Sequence, residues 1–358
     1  MAKSKIRNME EFATVSGISR PTISKYFNDP ESVRATTRER IEAALAQHEY
    51  RPNIYAINQN RRLTKNIGVV VPNLADPFFA EIARNIETMI IDTGFRPILM
   101  SSHGQPSQEI DNLESLRSIK PAGVLLGPLG RSSDHAAVEA FCEEIPTVLF
   151  DANIDGVGQA FFGSNNHQSI ELIVDYLCRT GEPPAFFEMR HPTNPNAIKR
   201  RTAYTSAMEA LGHPVELVQV EGDGWDFEEI GYRQGLQVIS ERRLPTNTVL
   251  CSNDRLAIGF LAAAYEAGLR VGRGSQNAMR VAGHDDHPYS RYTCPSLTTV
   301  SQDYRSISEQ SVETLLALIE AGQIPWETHD QKRASPPSGS THRETILFPG
   351  HLIIRDSA

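Results

Sequence analysis

From Asn66 onward the sequence alternates short apolar runs with amphipathic stretches, and that alternation constrains the fold more than any other feature. The runs are IGVVVP, RPILMS, AGVLLGP, PTVLFD, AFFEM, NTVLCSND and MRVAGHDD, and between several of them lie segments with helical spacing of apolar residues, such as DPFFAEIARNIETMIIDTG and RLAIGFLAAAYEAGL. A strand that is apolar at consecutive positions must be covered on both faces, which happens when crossover helices flank a parallel sheet. About 290 residues of this pattern exceed one ordinary doubly wound sheet, so two lobes are expected.

The first 65 residues are of another kind. They hold 12 Lys/Arg against 7 Asp/Glu, a net of +5, so the whole-chain net of −9 leaves −14 for the remainder. A basic module joined to an acidic body suits a chain that approaches phosphates with one end only. NMEEFATVSG reads as a short helix with Asn8 as N-cap, Glu11 as its box partner, and Phe12, Ala13 and Val15 facing inward. Gly17 ends it. Ser19 opens a second helix by accepting from the Thr22 N–H, Pro21 is tolerated in the first turn, and Ile23 and Phe27 form the buried face. A third helix, TTRERIEAALAQHEY, buries Ile41, Ala44 and Leu45. Three helices with a Gly turn between the first two make a helix-turn-helix pattern. RPNIYAINQNRRLTKN reads as a linker or hinge, and residues 327–343 have loop composition.

Other chemistries find little support. Cys142, Cys178, Cys251 and Cys294 are scattered beside apolar runs and form no CxxC pair, as expected of buried thiols in a reducing cytosol. No apolar run nears the ~18 residues of a membrane span, and no signal peptide is evident, so the expected location is cytoplasmic. HDDH, His284 to His287, invites a metal reading, but adjacent side chains at a strand end cannot all face one ion. GVLLGPLG lacks the Lys and Ser/Thr of a phosphate-binding loop. Neither a metal nor a cofactor is expected, and no nucleophile with a paired base is evident.

The strings SGISRPTISKYFN, TRERIEAALAQHEYRPN, NIGVVVPNLADPFFAEI, CSNDRLAIGFLAAAYEAGLRVG, VAGHDD and SLTTVSQD follow one another in an order that resembles the LacI/GalR family of bacterial transcription repressors, and FPGHLIIRDS resembles that family's final strand. The resemblance implies a helix-turn-helix domain over residues 1–50, a hinge over 51–65 and a two-lobed α/β effector domain over 66–358, similar to type 1 periplasmic binding proteins. Lobe 1 is expected to hold about 66–164 plus 302–326, and lobe 2 about 165–301 plus 343–358. The implied partners are double-stranded operator DNA with an inverted repeat, a sugar or sugar derivative as effector, and a second copy of the chain.

By that resemblance Arg20, Pro21 and Lys25 read base edges in the major groove. A bidentate Arg20–guanine contact discriminates by ~1–3 kcal/mol, Lys25 donates to guanine or to phosphate, and Pro21 offers only shape or contact with a thymine methyl. Ser19, Thr22, Ser24 and Asn28 carry donors suited to phosphates. Where relatives place a Leu wedge in the hinge this chain has Gln59. Either Ile57 or Leu63 takes over that role in a shifted register, or Asn58 and Gln59 read minor-groove acceptors without intercalating.

On the effector side, Asp76, Asp151, Asn253, Asp285 and Gln302 stand just beyond the C-terminal ends of expected strands, where open α/β sheets bind ligands. Phe78, Phe79 and Arg200 join them, and Trp225 or Phe227 supplies a wall. Carboxylates, amides and an Arg around aromatic faces suit a polyhydroxylated ring. The competing readings are a sugar sensor with no DNA role and, further off, a metal-dependent hydrolase centred on His284 and Asp285.

Overall fold

The computed structural model describes residues 4–6, 8–28, 30–50, 64–192, 194–274, 279–323 and 343–358. They fall into two compact units, Met1–Thr64 and Lys65–Ala358. The expected hinge, with Asn58 and Gln59, lies outside the described residues save for its last two positions.

In the first unit, β1 (Ser4–Lys5) pairs in parallel with β2 (His48–Glu49) beside three helices, α1 (Met9–Ser16), α2 (Arg20–Asn28) and α3 (Ala35–Gln47). Asn8 caps α1 by accepting the Glu11 N–H at 2.9 Å. Gly17 ends that helix at φ 64°, a left-handed turn that favours glycine. Phe12, Ile23 and Ile41 are fully buried, and the Phe12 ring stacks on Tyr50 at 4.7 Å. Two local expectations are corrected. Val15 is 49% exposed, the next buried position being Ile18 beyond the turn, and the Ser19 hydroxyl meets the Thr22 hydroxyl at 2.8 Å.

The second unit holds two parallel sheets. The first has six strands in the order β13-β7-β6-β5-β3-β4, namely β3 (Asn66–Val71), β4 (Arg96–Ser101), β5 (Gly123–Leu126), β6 (Thr147–Phe150), β7 (Ala160–Ser164) and β13 (Glu344–Phe348). The second has four in the order β11-β10-β8-β9, from β8 (Ala185–Met189), β9 (Leu217–Val220), β10 (Thr248–Cys251) and β11 (Arg280–Ala282). Helices cover both faces of each. Ile67, Val69 and Val71 of β3 meet α4 (Pro77–Asp92) and α11 (Tyr304–Gln323), while Val70 faces α5 (Pro106–Ile119) and α6 (His135–Glu144). In the second lobe α7 (Asn166–Thr180) and α8 (Ala197–Ala210) cover one face, and α9 (Phe227–Ser240) and α10 (Asp254–Glu266) the other.

Helices α9 and α10 touch backbone to backbone. A Cβ at Gly259 would lie 2.0 Å from the Glu228 carbonyl oxygen, and one at Gly231 would lie 2.2 Å from that of Leu256. Only glycine permits this approach, and it brings the first turns of the two helices together.

The chain passes between lobes three times: from β7 into α7, from β12 (Thr299–Ser301) into α11, and from β13 into β14 (His351–Ile353). The crossings are bonded to one another. β12 pairs antiparallel with β14, the Asn165 N–H donates to Phe348 O at 2.8 Å, and the Ser164 hydroxyl donates to Gln302 Oε1.

The expected assignment of 343–358 to lobe 2 is thereby corrected. β13 is the edge strand of the first sheet, paired with β7, and only β14 and the residues after it turn to the second lobe. β7 and β9 add strands to the seven apolar runs. Of the cysteines, Cys142 and Cys251 are buried, Cys178 is half-buried and Cys294 is exposed, which revises the expectation for the last two. No helix of the described residues is long and apolar enough to cross a membrane.

Candidate functional site

Helix α2 presents its polar face to solvent. Ser19, Arg20, Pro21 and Lys25 are exposed, Thr22 and Ser24 are half-buried, and Asn28 closes the helix. Elsewhere in the unit Arg38 pairs with Glu31, and Arg40 donates to the Gly17 carbonyl at 3.4 Å. Among the described residues Arg20 and Lys25 have no carboxylate within 4.0 Å, so both keep their donors free while Ile23 anchors the helix in the core.

In the second unit, Asp76, Phe78, Phe79, Asp151, Arg200, Asn253 and Asp285 line one narrow crevice between the lobes. Each arrives from a strand end or a helix start. Asp76 caps α4, its Oδ1 accepting the Phe78 N–H at 3.0 Å, and Asn253 caps α10, its Oδ1 accepting the Leu256 N–H at 2.8 Å. Cap and site are therefore the same residues, because helix starts and strand ends meet at the crevice. Asp151 and Asp285 follow β6 and β11 at φ 62° and 123°, a backbone region that costs a non-glycine residue of order 1–3 kcal/mol and marks positions held by their surroundings.

The polar groups form two clusters. In the first, Arg200 is buried. Its Nη2 donates to Asp285 Oδ1 at 2.6 Å, its Nη1 to Ser252 O at 2.7 Å and its Nε to Asn166 Oδ1 at 3.1 Å. Asp285 Oδ1 also accepts from Gln302 Nε2 at 2.6 Å, and the Tyr304 hydroxyl donates to the Asp285 carbonyl. Burial opposes ionisation of Asp285, but the Arg200 and His284 contacts outweigh it and hold the carboxyl below its ordinary range. Burial and the Arg200 charge push His284 down to about 4, so a neutral imidazole donates its Nδ1–H to Asp285 at 3.0 Å.

In the second cluster Arg255 forks onto Glu228 at 2.6 and 2.7 Å and reaches across to the first lobe, where Nη1 meets Asp76 Oδ2 at 3.0 Å. Between the clusters stands Asp151. It takes one amide bond, from Asn196 Nδ2 at 2.8 Å, and burial pushes its carboxyl up to about 7 against the pull of Lys199 and Arg200.

Two expected residues stand differently. Gln302 acts through Asp285 and Ser164 and does not line the crevice, and Trp225 stands behind it, edge-on to Phe79 at 6.0 Å and to Phe227 at 5.6 Å. Phe227 is core. Residues not anticipated are Arg255, Glu228, Tyr304, Asn166 and Asn196. Two of them stood beside marked positions: Arg255 follows Asn253 by two residues in the first turn of α10, and Tyr304 follows Gln302 by two. Among the described residues no group of three or more His, Cys, Asp or Glu side chains is arranged to hold a metal ion.

Comparison with known proteins agrees with this architecture. Residues 8–53 match the family described as bacterial regulatory proteins, lacI family, and residues 161–358 match the periplasmic binding protein-like domain. The chain is similar to the HTH-type transcriptional repressor PurR of Haemophilus influenzae (strain PittEE), 27% identical over 315 residues, which covers 87% of this chain and 90% of that protein. It is also similar to the lactose operon repressor of Escherichia coli (strain K12), 28% identical over 316 residues, with 88% and 85% covered. Among solved structures, the Lac repressor bound to ONPG in its repressed state superimposes with a TM-score of 0.78 at 25% identity, covering 98% of this chain and 99% of that one. A basic helix-turn-helix unit followed by two doubly wound lobes around a polar crevice, with these matches, shows that the chain belongs to the lacI family of bacterial regulatory proteins.

Proposed function

We propose that the small molecule controlling this DNA-binding transcriptional repressor is a neutral, sugar-like polyol held between the lobes by Arg200, Asp285, Asp151 and Asn253, with Phe78 against its apolar face. The observation that carries the reading is the convergence of seven polar and aromatic residues on one crevice, from elements of both lobes. The charge balance favours a neutral ligand over an acidic one. Arg200 is already paired with Asp285 and Arg255 with Asp76 and Glu228, which leaves Asp151 as a carboxyl group with only an amide as its side-chain hydrogen-bond partner. An acid entering here would face carboxylates without a free cation, whereas hydroxyls can donate to Asp151 and Asp285 and accept from the amides.

The same reading assigns a base contact to Arg20, a phosphate contact to Lys25 beside its reach to guanine, and phosphate contacts to their hydroxyl-bearing neighbours. A cytoplasmic dimer is expected on an inverted repeat with half-sites ~10 bp apart or a multiple of that. Calorimetry against a panel of sugars, polyols, sugar acids and purines tests the effector class. The expected result is that a neutral sugar or polyol binds best and changes operator affinity. A sugar acid, a purine or an apolar compound as the best ligand would refute the assignment while leaving the repressor intact.

A further inference from the structure

A second cavity lies between the lobes and shares no lining residue with the crevice. It measures about 580 Å³, within the ~300–1,000 Å³ usual for small-molecule sites. The first lobe contributes the 152–157 segment after β6, Phe161, and one side of β13. The second contributes Ile198 and Lys199 from the first turn of α8.

Its walls are apolar at Leu149, Ile154, Phe161, Ile198 and Leu347, and Leu347 is 48% exposed although it sits on a sheet strand. Its charges are predominantly positive. Arg131, Lys199 and Arg343 line it against a single carboxylate, Asp155, which already accepts from Asn153 Nδ2 at 2.9 Å. His167, also in the lining, lies 3.8 Å from Glu171.

None of the three cations has a carboxylate within 4.0 Å among the described residues. Lys199 Nζ is held by Asn153 Oδ1 at 3.0 Å and lies 5.8 Å from the Phe161 ring centroid, and Arg343 lies against Gly156. Asn196, at the N-cap position of α8, spends its side-chain amide on Asp151 and makes no cap bond, so the first-turn N–H groups of that helix carry no side-chain acceptor.

We infer that this cavity is a second ligand site for an organic anion with an apolar body, an aromatic or branched hydrocarbon bearing a carboxylate, phosphate or sulfonate. The anion takes Lys199 and Arg131, and the body covers Phe161 and Leu347. The inference stands apart from the sugar reading, since no residue that lines the crevice lines this cavity, and Asn196 enters only as the helix start whose amide serves Asp151.

The test is a fluorescence titration of the full chain with 8-anilinonaphthalene-1-sulfonate, an apolar anion. N-phenyl-1-naphthylamine serves as the counterpart without the sulfonate. One saturable sulfonate site per chain is expected, with the uncharged dye at least ~10-fold weaker, as loss of a charge-assisted contact requires. The double variant Lys199→Ala, Arg131→Ala and the single variant Leu347→Glu should each weaken the sulfonate by ~10-fold or more. All three positions are exposed, so both variants should melt like the native chain. Binding that survives both substitutions, equal affinity for the two dyes, or the absence of a saturable site would overturn the inference.

Discussion

Replacing Arg200 by Met should be among the most damaging single changes in the second unit, and a second change should repair much of it. Arg200 is 2% exposed and makes its bonds to Asp285, Ser252 and Asn166 from inside the lobe. Arg200→Met leaves the Asp285 carboxylate facing a neutral imidazole and one amide, an uncompensated buried charge that costs ~3–5 kcal/mol. For a unit of this size that lowers Tm by roughly 6–15 °C. Asp285→Asn strands the guanidinium instead and should cost a similar amount. The double variant carries neither charge and should cost less than either single, falling short of their sum by about 4 kcal/mol or more, because a well-packed replacement of a buried pair is often close to neutral. Calorimetric melts of the four proteins at pH 7 measure the cycle. An Arg200→Met cost below about 1 kcal/mol, or costs that simply add, would show that the pair is neither desolvated nor coupled.

Asp151 has a folded-state pKa of about 7 against an unfolded value near ~3.9, so between those limits the native state keeps a proton the unfolded chain has lost. Its contribution therefore makes stability fall as pH rises from about 4 to 7, by about 1.4 kcal/mol per unit, and level off above. Asp151→Asn should remove one proton's worth of that slope in urea melts across the range, leaving the share of Asp254, which burial and Asp285 also raise to about 7. An unchanged slope would rule Asp151 out. Gly259→Ala should cost ~3 kcal/mol or more, since its Cβ would sit 2.0 Å from Glu228 O, and should weaken effector binding as Arg255 loses its fork on Glu228. A melt within 2 °C of native, on the order of ~1 kcal/mol or less, would contradict the close packing. Arg20→Ala should relax preference at one symmetric pair of operator positions, whereas Lys25→Ala should lower affinity for all sequences. A footprint covering a single asymmetric half-site would refute the dimeric reading.

The sequence carried the sheets and most of the crevice because both rest on local signals. Apolar runs such as IGVVVP announce buried strands, and a carboxylate or amide after such a run stands where ligands bind. What escaped depends on contacts distant in sequence. The Arg255–Glu228 fork requires α9 and α10 to meet at Gly231 and Gly259, and glycine inside a helix reads as a weakness until the facing helix is known. β13 escaped because an edge strand with one side open carries exposed Glu344, Thr345 and Leu347, and it follows a segment of loop composition. Gln302 and Trp225 were marked by position, but only the packing shows that one works through Asp285 and the other through Phe79.

The three bonded crossings between the lobes also decide what kind of movement a ligand can select. A single connecting segment would let one lobe swivel about any axis, whereas three strands side by side resist twisting and sliding and yield chiefly by bending together, like a leaf hinge. Asp76 and Arg255 are already joined across the lobes at 3.0 Å, so a ligand that competes for that pair or reinforces it turns one lobe on the other as a rigid plate about those crossings.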